Sequence, residues 1–139
     1  MRAHTTVAAT LLFASYAFAA EPTKIDVQAE VVLAQEKGAT LDPPELVKVQ
    51  QALKAKKPYG SLKRLSSSRL TLTAKPVPVS VPSGNGELSL ISVKDDVATV
   101  RLKVGAIDST LKLGAQGSLY QHAGTYQGGD LWVVLSRPK

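Results

Sequence analysis

Residues 41–57 read LDPPELVKVQQALKAKK and carry the chain's one good helix signature. Asp42 stands where an N-cap stands, Pro43 suits the first helical position, and Glu45 follows the cap by three residues, the capping-box spacing. Leu46, Val49 and Leu53 recur on one face at helical spacing, with Val47 and Ala52 beside them. The acids sit at the start and Lys54, Lys56 and Lys57 at the end, so both ends complement the helix dipole, and Pro58 stops the run. Everything on either side of this segment reads as strand.

Upstream, KIDVQAEVVLA (24–34) alternates cleanly. Ile25, Val27, Ala29, Val31 and Leu33 share one face, and Asp26, Gln28 and Glu30 the other, the mark of a strand with one wet face. Downstream, 59–65 and 70–74 are predicted as separate strands. KPVPVSVP (75–82) alternates Pro or Ser with Val, and proline cannot donate to a ladder, so it is an edge strand or an extended connector. SGNG (83–86) is a turn. Residues 87–94 and 97–104 form a hairpin about Asp95-Asp96, with Val100, Leu102 and Val104 inward and Thr99, Arg101 and Lys103 outward. Residues 110–113, 118–123 and 131–136 complete the set. The expected fold class is α+β: one N-terminal strand and one helix, then a mostly antiparallel sheet of about six or seven short strands.

The first residues, MRAHTTVAATLLFASYAFAA, decide the compartment. Arg2 and His4 precede an uncharged, mostly apolar run, and Ala17-Phe18-Ala19 places small residues where a signal peptidase reads. Residues 1–19 are therefore expected to be a cleaved secretory signal, with 20–139 a single compact α+β domain in the periplasm or outside the cell. The apolar run is short of the roughly 20 residues a transmembrane helix needs. No span is expected after cleavage.

Cleavage would remove both phenylalanines, the only methionine, His4 and Tyr16, and the net charge would fall from +6 to +5 with the loss of Arg2. The remaining chain has no cysteine, one histidine (His122) and four aromatics: Tyr59, Tyr120, Tyr126 and Trp132. Its core must come from Val, Leu, Ile and Ala, without disulfides. With one histidine and no cysteine a tetrahedral N/S metal site cannot be assembled, and the spaced acids of a calcium loop are missing. No metal, cofactor or catalytic residue is expected. Serines are plentiful, especially Ser66, Ser67 and Ser68, and His122 could serve as a base oriented by Asp108 or Asp130, but no nucleophile-elbow motif supports a triad.

Two groups remain as binding candidates. The first lies in KAKKPYGSLKRL (54–65): Lys56, Lys57, Tyr59, Lys63 and Arg64, within a span from Leu46 to Gly86 that has no acid. A basic run with a tyrosine can track phosphates, but lysines also belong at helix ends and on sheet edges, and an exported protein rarely meets nucleic acid. The second is Tyr120, His122, Tyr126 and Trp132, a small platform for a sugar or peptide unless Trp132 goes to the core, which burial preferences favour.

VVLA closing the first strand, DPPELVKVQQAL, the Pro-Tyr break after the lysine-rich helix end, and GGDLWVVL at the C-terminus resemble a group of small exported bacterial envelope proteins of unassigned function. The resemblance covers most of residues 20–139 and rests on structural phrases. It implies an exported, non-enzymatic envelope protein and supplies no active-site residue. The functional expectation is an exported, non-catalytic protein-interaction or assembly module with an envelope protein partner, the Pro-interrupted 75–82 segment being a candidate edge for a partner strand. The alternative is a binder of anionic lipid or glycan, and a small hydrolase comes third.

Overall fold

A computed structural model describes residues 24–138. The expected signal peptide, and with it the cleavage site, lies outside these residues.

β1 (Ile25–Gln35) occupies the middle of a five-stranded sheet. β2 (Leu41–Asp42) is a two-residue strand, followed by a 3-10 turn (Pro44–Leu46) and α1 (Val47–Leu53). Seven strands follow: β3 (Ser61–Leu72), β4 (Val77–Val81), β5 (Gly84–Lys94), β6 (Val97–Val104), β7 (Ile107–Leu113), β8 (Ser118–Tyr126) and β9 (Gly129–Ser136). They form two sheets, in the orders β2-β3-β1-β9-β8 and β4-β5-β6-β7. Every pairing is antiparallel except β2 with β3. The α+β, mainly antiparallel reading holds, but the expected one sheet is two, packed face to face. A single sheet would have left the inward residues of β5 and β6 without a partner layer.

The main core lies between the sheets. Val27, Val31, Leu131, Val133 and Leu135 from the first meet Leu88, Leu90, Val100, Leu102 and Leu113 from the second, all buried. Aliphatic side chains fill this layer alone, as the composition requires. A second, smaller core lies on the outer face of the first sheet, where α1 sets Leu46, Val49 and Leu53 over Val32, Ala34, Leu62, Trp132 and Val134. For this reason β1 departs from strict alternation at its end: Val31, Val32, Leu33 and Ala34 are all buried, one pair under each cover.

The helix is shorter than its signature predicts. Pro43, extended at φ −76° and ψ 165°, takes the N-cap position of the 3-10 turn, and no side chain caps it. Asp42 is instead drawn into β2 opposite Lys63, and the Glu45 carboxylate turns to Arg64. Lys54, Lys56 and Lys57 lie beyond the last helical residue, in turns held by Lys56 N–H and Lys57 N–H donating to the Leu53 carbonyl. Their place at the helix end is therefore corrected to the exit loop. The strand expected to break at Ser66-Ser67-Ser68 runs through it unbroken, paired to Val31, Glu30 and Ala29. The 83–86 turn is likewise corrected, since Gly84 to Gly86 already belong to β5, against β4. The Asp95-Asp96 hairpin forms as expected, both residues at positive φ (53° and 63°) as a tight primed turn requires. β4 is the expected edge strand.

Candidate functional site

Members of both groups, Lys57 and Tyr59 from mid-sequence and His122 and Trp132 from near the C-terminus, meet around Asp130, on the outer face of the first sheet. Two local features bring them together. The chain leaving α1 is pinned by Gly60 N–H donating to the Gln35 carbonyl (2.9 Å) and by Gln50 Nε2 donating to the Tyr59 carbonyl (2.8 Å), which folds the Tyr59 ring in beside Trp132. The second is a bulge in β8. His122 pairs with Trp132 and Thr125 with Asp130, so Ala123 and Gly124 together face one residue of β9. Gly124 sits at φ +107°, open to glycine. Because one residue of slip exchanges the two faces of a strand, this bulge places His122 on the outer face with Trp132 and Asp130.

The Asp130 carboxylate, 16% exposed, accepts from three groups. The Tyr59 hydroxyl donates to Oδ2 at 2.6 Å, Lys57 Nζ lies 3.4 Å from Oδ2, and His122 Nε2 is 3.2 Å from Oδ1. Burial alone would raise the Asp130 pKa, but these three partners outweigh it and hold the carboxyl below its ordinary value. Facing an ionised carboxylate, His122 Nε2 carries a proton. Burial, and then the hydrogen bond to Asp130, push the Tyr59 hydroxyl up to about 12. Trp132 Nε1 donates back to the Tyr59 oxygen at 3.1 Å, and the Trp132 ring meets His122 edge-on at 5.3 Å and Tyr59 at 6.4 Å. Buried polar atoms are thus fully satisfied: no buried side-chain N or O among the described residues lacks a partner.

A cleft of about 820 Å³ opens beside this network, at the end of the first sheet where β1 leaves and the β8–β9 turn reverses. Gln35, Lys37, Lys57, Tyr59, Tyr126 and Asp130 line it with the backbone of 127–129. Gln127 is held at φ +49°, an uncommon conformation for a side chain of that kind, with its carbonyl accepting from Gln35 Nε2 at 3.2 Å. Gly129 is obligatory at the floor: a Cβ there would lie 2.7 Å from the Ala34 carbonyl oxygen.

The candidates therefore separate. Lys57, Tyr59, His122 and Trp132 share one network, and Tyr126 lines the adjoining cleft. Trp132 and Tyr59 are each only 5% exposed, so neither ring offers a stacking face: Trp132 takes the core place that burial preferences favoured, and Tyr59 is not a stacking ring for the basic run. Tyr120 is half-buried against the α1 core. Lys56 and Lys63 are exposed and outside the network. Arg64 is engaged by Glu30 and Glu45, each at 3.2 Å, and Arg69 by Asp26 at 3.5 Å. Carboxylates from outside the acid-free span thus meet Lys57, Arg64 and Arg69, while Lys48, Lys54, Lys56, Lys63 and Lys75 stay exposed with no ion pair among the described residues. Asp130, considered in sequence only as a triad member, is the hub that the reading missed. Its signal lay in spacing: Asp130 and Trp132 are two apart on a strand and share a face.

The His–Asp pair is half of a nucleophilic site. Among the described residues no hydroxyl bonds the His122 ring. Ser66, Ser67 and Ser68 lie on β3, three strands from β8, or about 14 Å across the sheet. No cluster of three or more His, Asp or Glu suited to a metal occurs among the described residues, and none of their helices is long and apolar enough to cross a membrane. No family model, curated protein or solved structure matches the chain.

Proposed function

We propose that the chain is an exported, non-catalytic recognition module that receives a segment of an envelope protein in the cleft beside Asp130. The observation that carries this reading is the closure of the Asp130 network. Tyr59, His122, Lys57 and Trp132 direct their polar atoms at one another or at the carboxylate, an arrangement that fixes the wall of a cleft. The cleft itself keeps the Gln127 side-chain amide, the Tyr126 hydroxyl and turn backbone, groups that suit a polypeptide, while Gln35 Nε2 is already committed to the Gln127 carbonyl. A charge-led reading, with anionic lipid or glycan as ligand, is weakened by the carboxylates on Arg64, Arg69 and Lys57.

Affinity purification from fractionated envelope tests the proposal. Tagged wild type should recover a reproducible protein that survives high salt, and Tyr126→Ala with Gln127→Gly should lose it without loss of folding. Recovery only of lipid or glycan that washes away in salt would favour the charge-led reading. An uncleaved chain in the cytosolic fraction would overturn export.

A further inference from the structure

Strand edges with unpaired backbone groups invite association, and proteins normally blunt them. In this molecule most edges are blunted. β4 carries Pro78, and Pro76 and Pro82 share its parity. Val81 pairs with Gly84 around two turn residues, so Val81, Val79 and Val77 are the bonded positions and the missing N–H of Pro78 falls on the side away from β5. β8 is broken by its bulge. β3 is covered by β2 at Leu62 and Lys63 and carries Arg64 and Arg69 beyond. β7, the last strand of the second sheet, has no proline and no bulge, and holds one register with β6 from Ile107 to Leu113.

The direction of its free backbone groups follows from the turn before it. Val104 pairs with Ile107 around two residues, Gly105 and Ala106, so that pair is hydrogen-bonded in both directions. Alternation makes Ser109, Leu111 and Leu113 the next bonded positions. Asp108, Thr110 and Lys112 consequently aim their N–H and C=O groups outward, and all are exposed. On the inner face of the same edge Ile107 and Leu111 are only half-buried.

We infer that β7 is a homodimer edge, pairing antiparallel with β7 of a second copy about a twofold axis through Thr110. In this register Thr110 faces the partner's Thr110, and Asp108 faces the partner's Lys112. Each outward residue exchanges both of its backbone hydrogen bonds, and the two four-stranded sheets become one. The charges select the register. A shift of the axis to Asp108 would oppose two carboxylates, and a shift to Lys112 two ammonium groups. Arg101 already grips Asp108 (2.6 and 2.9 Å) and holds that carboxylate on the outer face at the edge. Lys112 makes no ion pair among the described residues, which leaves it for the partner's Asp108. The second copy, rather than a foreign strand, is the occupant because the sequence of this edge is its own antiparallel complement.

The chain has no cysteine, so one introduced thiol reports directly. Thr110→Cys should give an interchain disulfide under mild oxidation, since the paired Cα atoms would stand about 5.5 Å apart, whereas Ser80→Cys on the β4 edge should stay unlinked. In sedimentation velocity the wild type should be a dimer. Thr110→Pro, which removes only an outward N–H, should weaken it at least tenfold with an unchanged circular dichroism spectrum. Lys112→Asp should do the same, and adding Asp108→Lys should restore the dimer. A monomeric wild type, or a Thr110→Cys chain that links no faster than Ser80→Cys, would overturn the inference.

Discussion

Tyr59→Phe removes one oxygen from the network and leaves its shape. Two bonds go with it. The first is the 2.6 Å donation to Asp130, a charge-assisted bond of about 1.5–3 kcal/mol. The second is the 3.1 Å bond from Trp132 Nε1, whose loss strands a buried donor at about 1–3 kcal/mol. The terms overlap because they share one hydroxyl, so the expected loss is about 2–4 kcal/mol, a large part of a typical total of roughly 5–15 kcal/mol. Urea unfolding followed by the fluorescence of Trp132, the only tryptophan, measures it, and the midpoint should fall with little change in slope. A double-mutant cycle with Asp130→Asn should return a coupling of at least about 1 kcal/mol. A loss under about 0.5 kcal/mol with no coupling would refute the reasoning, because it would mean that water serves these groups equally well.

Three more predictions rest on the same region. Trp132→Ala should cost about 3–5 kcal/mol in the same assay, read by circular dichroism, because the ring is enclosed beneath α1. Gly129→Ala should lower the melting temperature measurably, since its Cβ would meet the Ala34 carbonyl at 2.7 Å and the Leu33 side chain at 2.9 Å, an overpacking cost of about 1–3 kcal/mol. The pH dependence has two signed limbs. The folded chain keeps the Tyr59 proton up to about 12, whereas an unfolded tyrosine gives it up near 10. Stability should therefore be intact below about pH 10 and fall between about 10 and 12. The Asp130 pKa is depressed instead, so its contribution is present above about pH 4 and is lost as acid titrates the folded carboxyl. Tyr59→Phe should flatten the alkaline limb.

Local signals in the sequence carried the strands well and the assembly poorly. The alternation of β1 and β6, the Asp95-Asp96 turn and the proline-marked β4 edge all depend on neighbours within a few residues. Whether β4–β7 extend the first sheet or cover it depends on pairings that only the folded chain makes. Leu113, inward on β7, and Leu119, on β8, serve different sheets across one tight turn, and nothing local distinguishes that from a hairpin. The helix start failed where tertiary pairing overrode a cap: the backbone of Asp42 is drawn into β2 beside β3, and Pro43 takes the cap position. The site was half readable. Tyr59, His122 and Trp132 stood out as rare residue types, but their union needed the Gly124 bulge, which turns His122 to the outer face, and a carboxylate some seventy residues from Tyr59. The partners of Arg64 and Arg69 were hidden for a related reason, since Glu30 and Asp26 sit on a different strand from the cations they meet.

The most direct test of the recognition reading is site-specific photocrosslinking in living cells. A photoreactive residue in place of Tyr126, at the cleft, should capture one discrete envelope protein. The same residue in place of Ser89, on β5 of the second sheet, should not. Capture of the same protein equally from both positions, or of none from the cleft, would contradict the assignment of a recognition site beside Asp130.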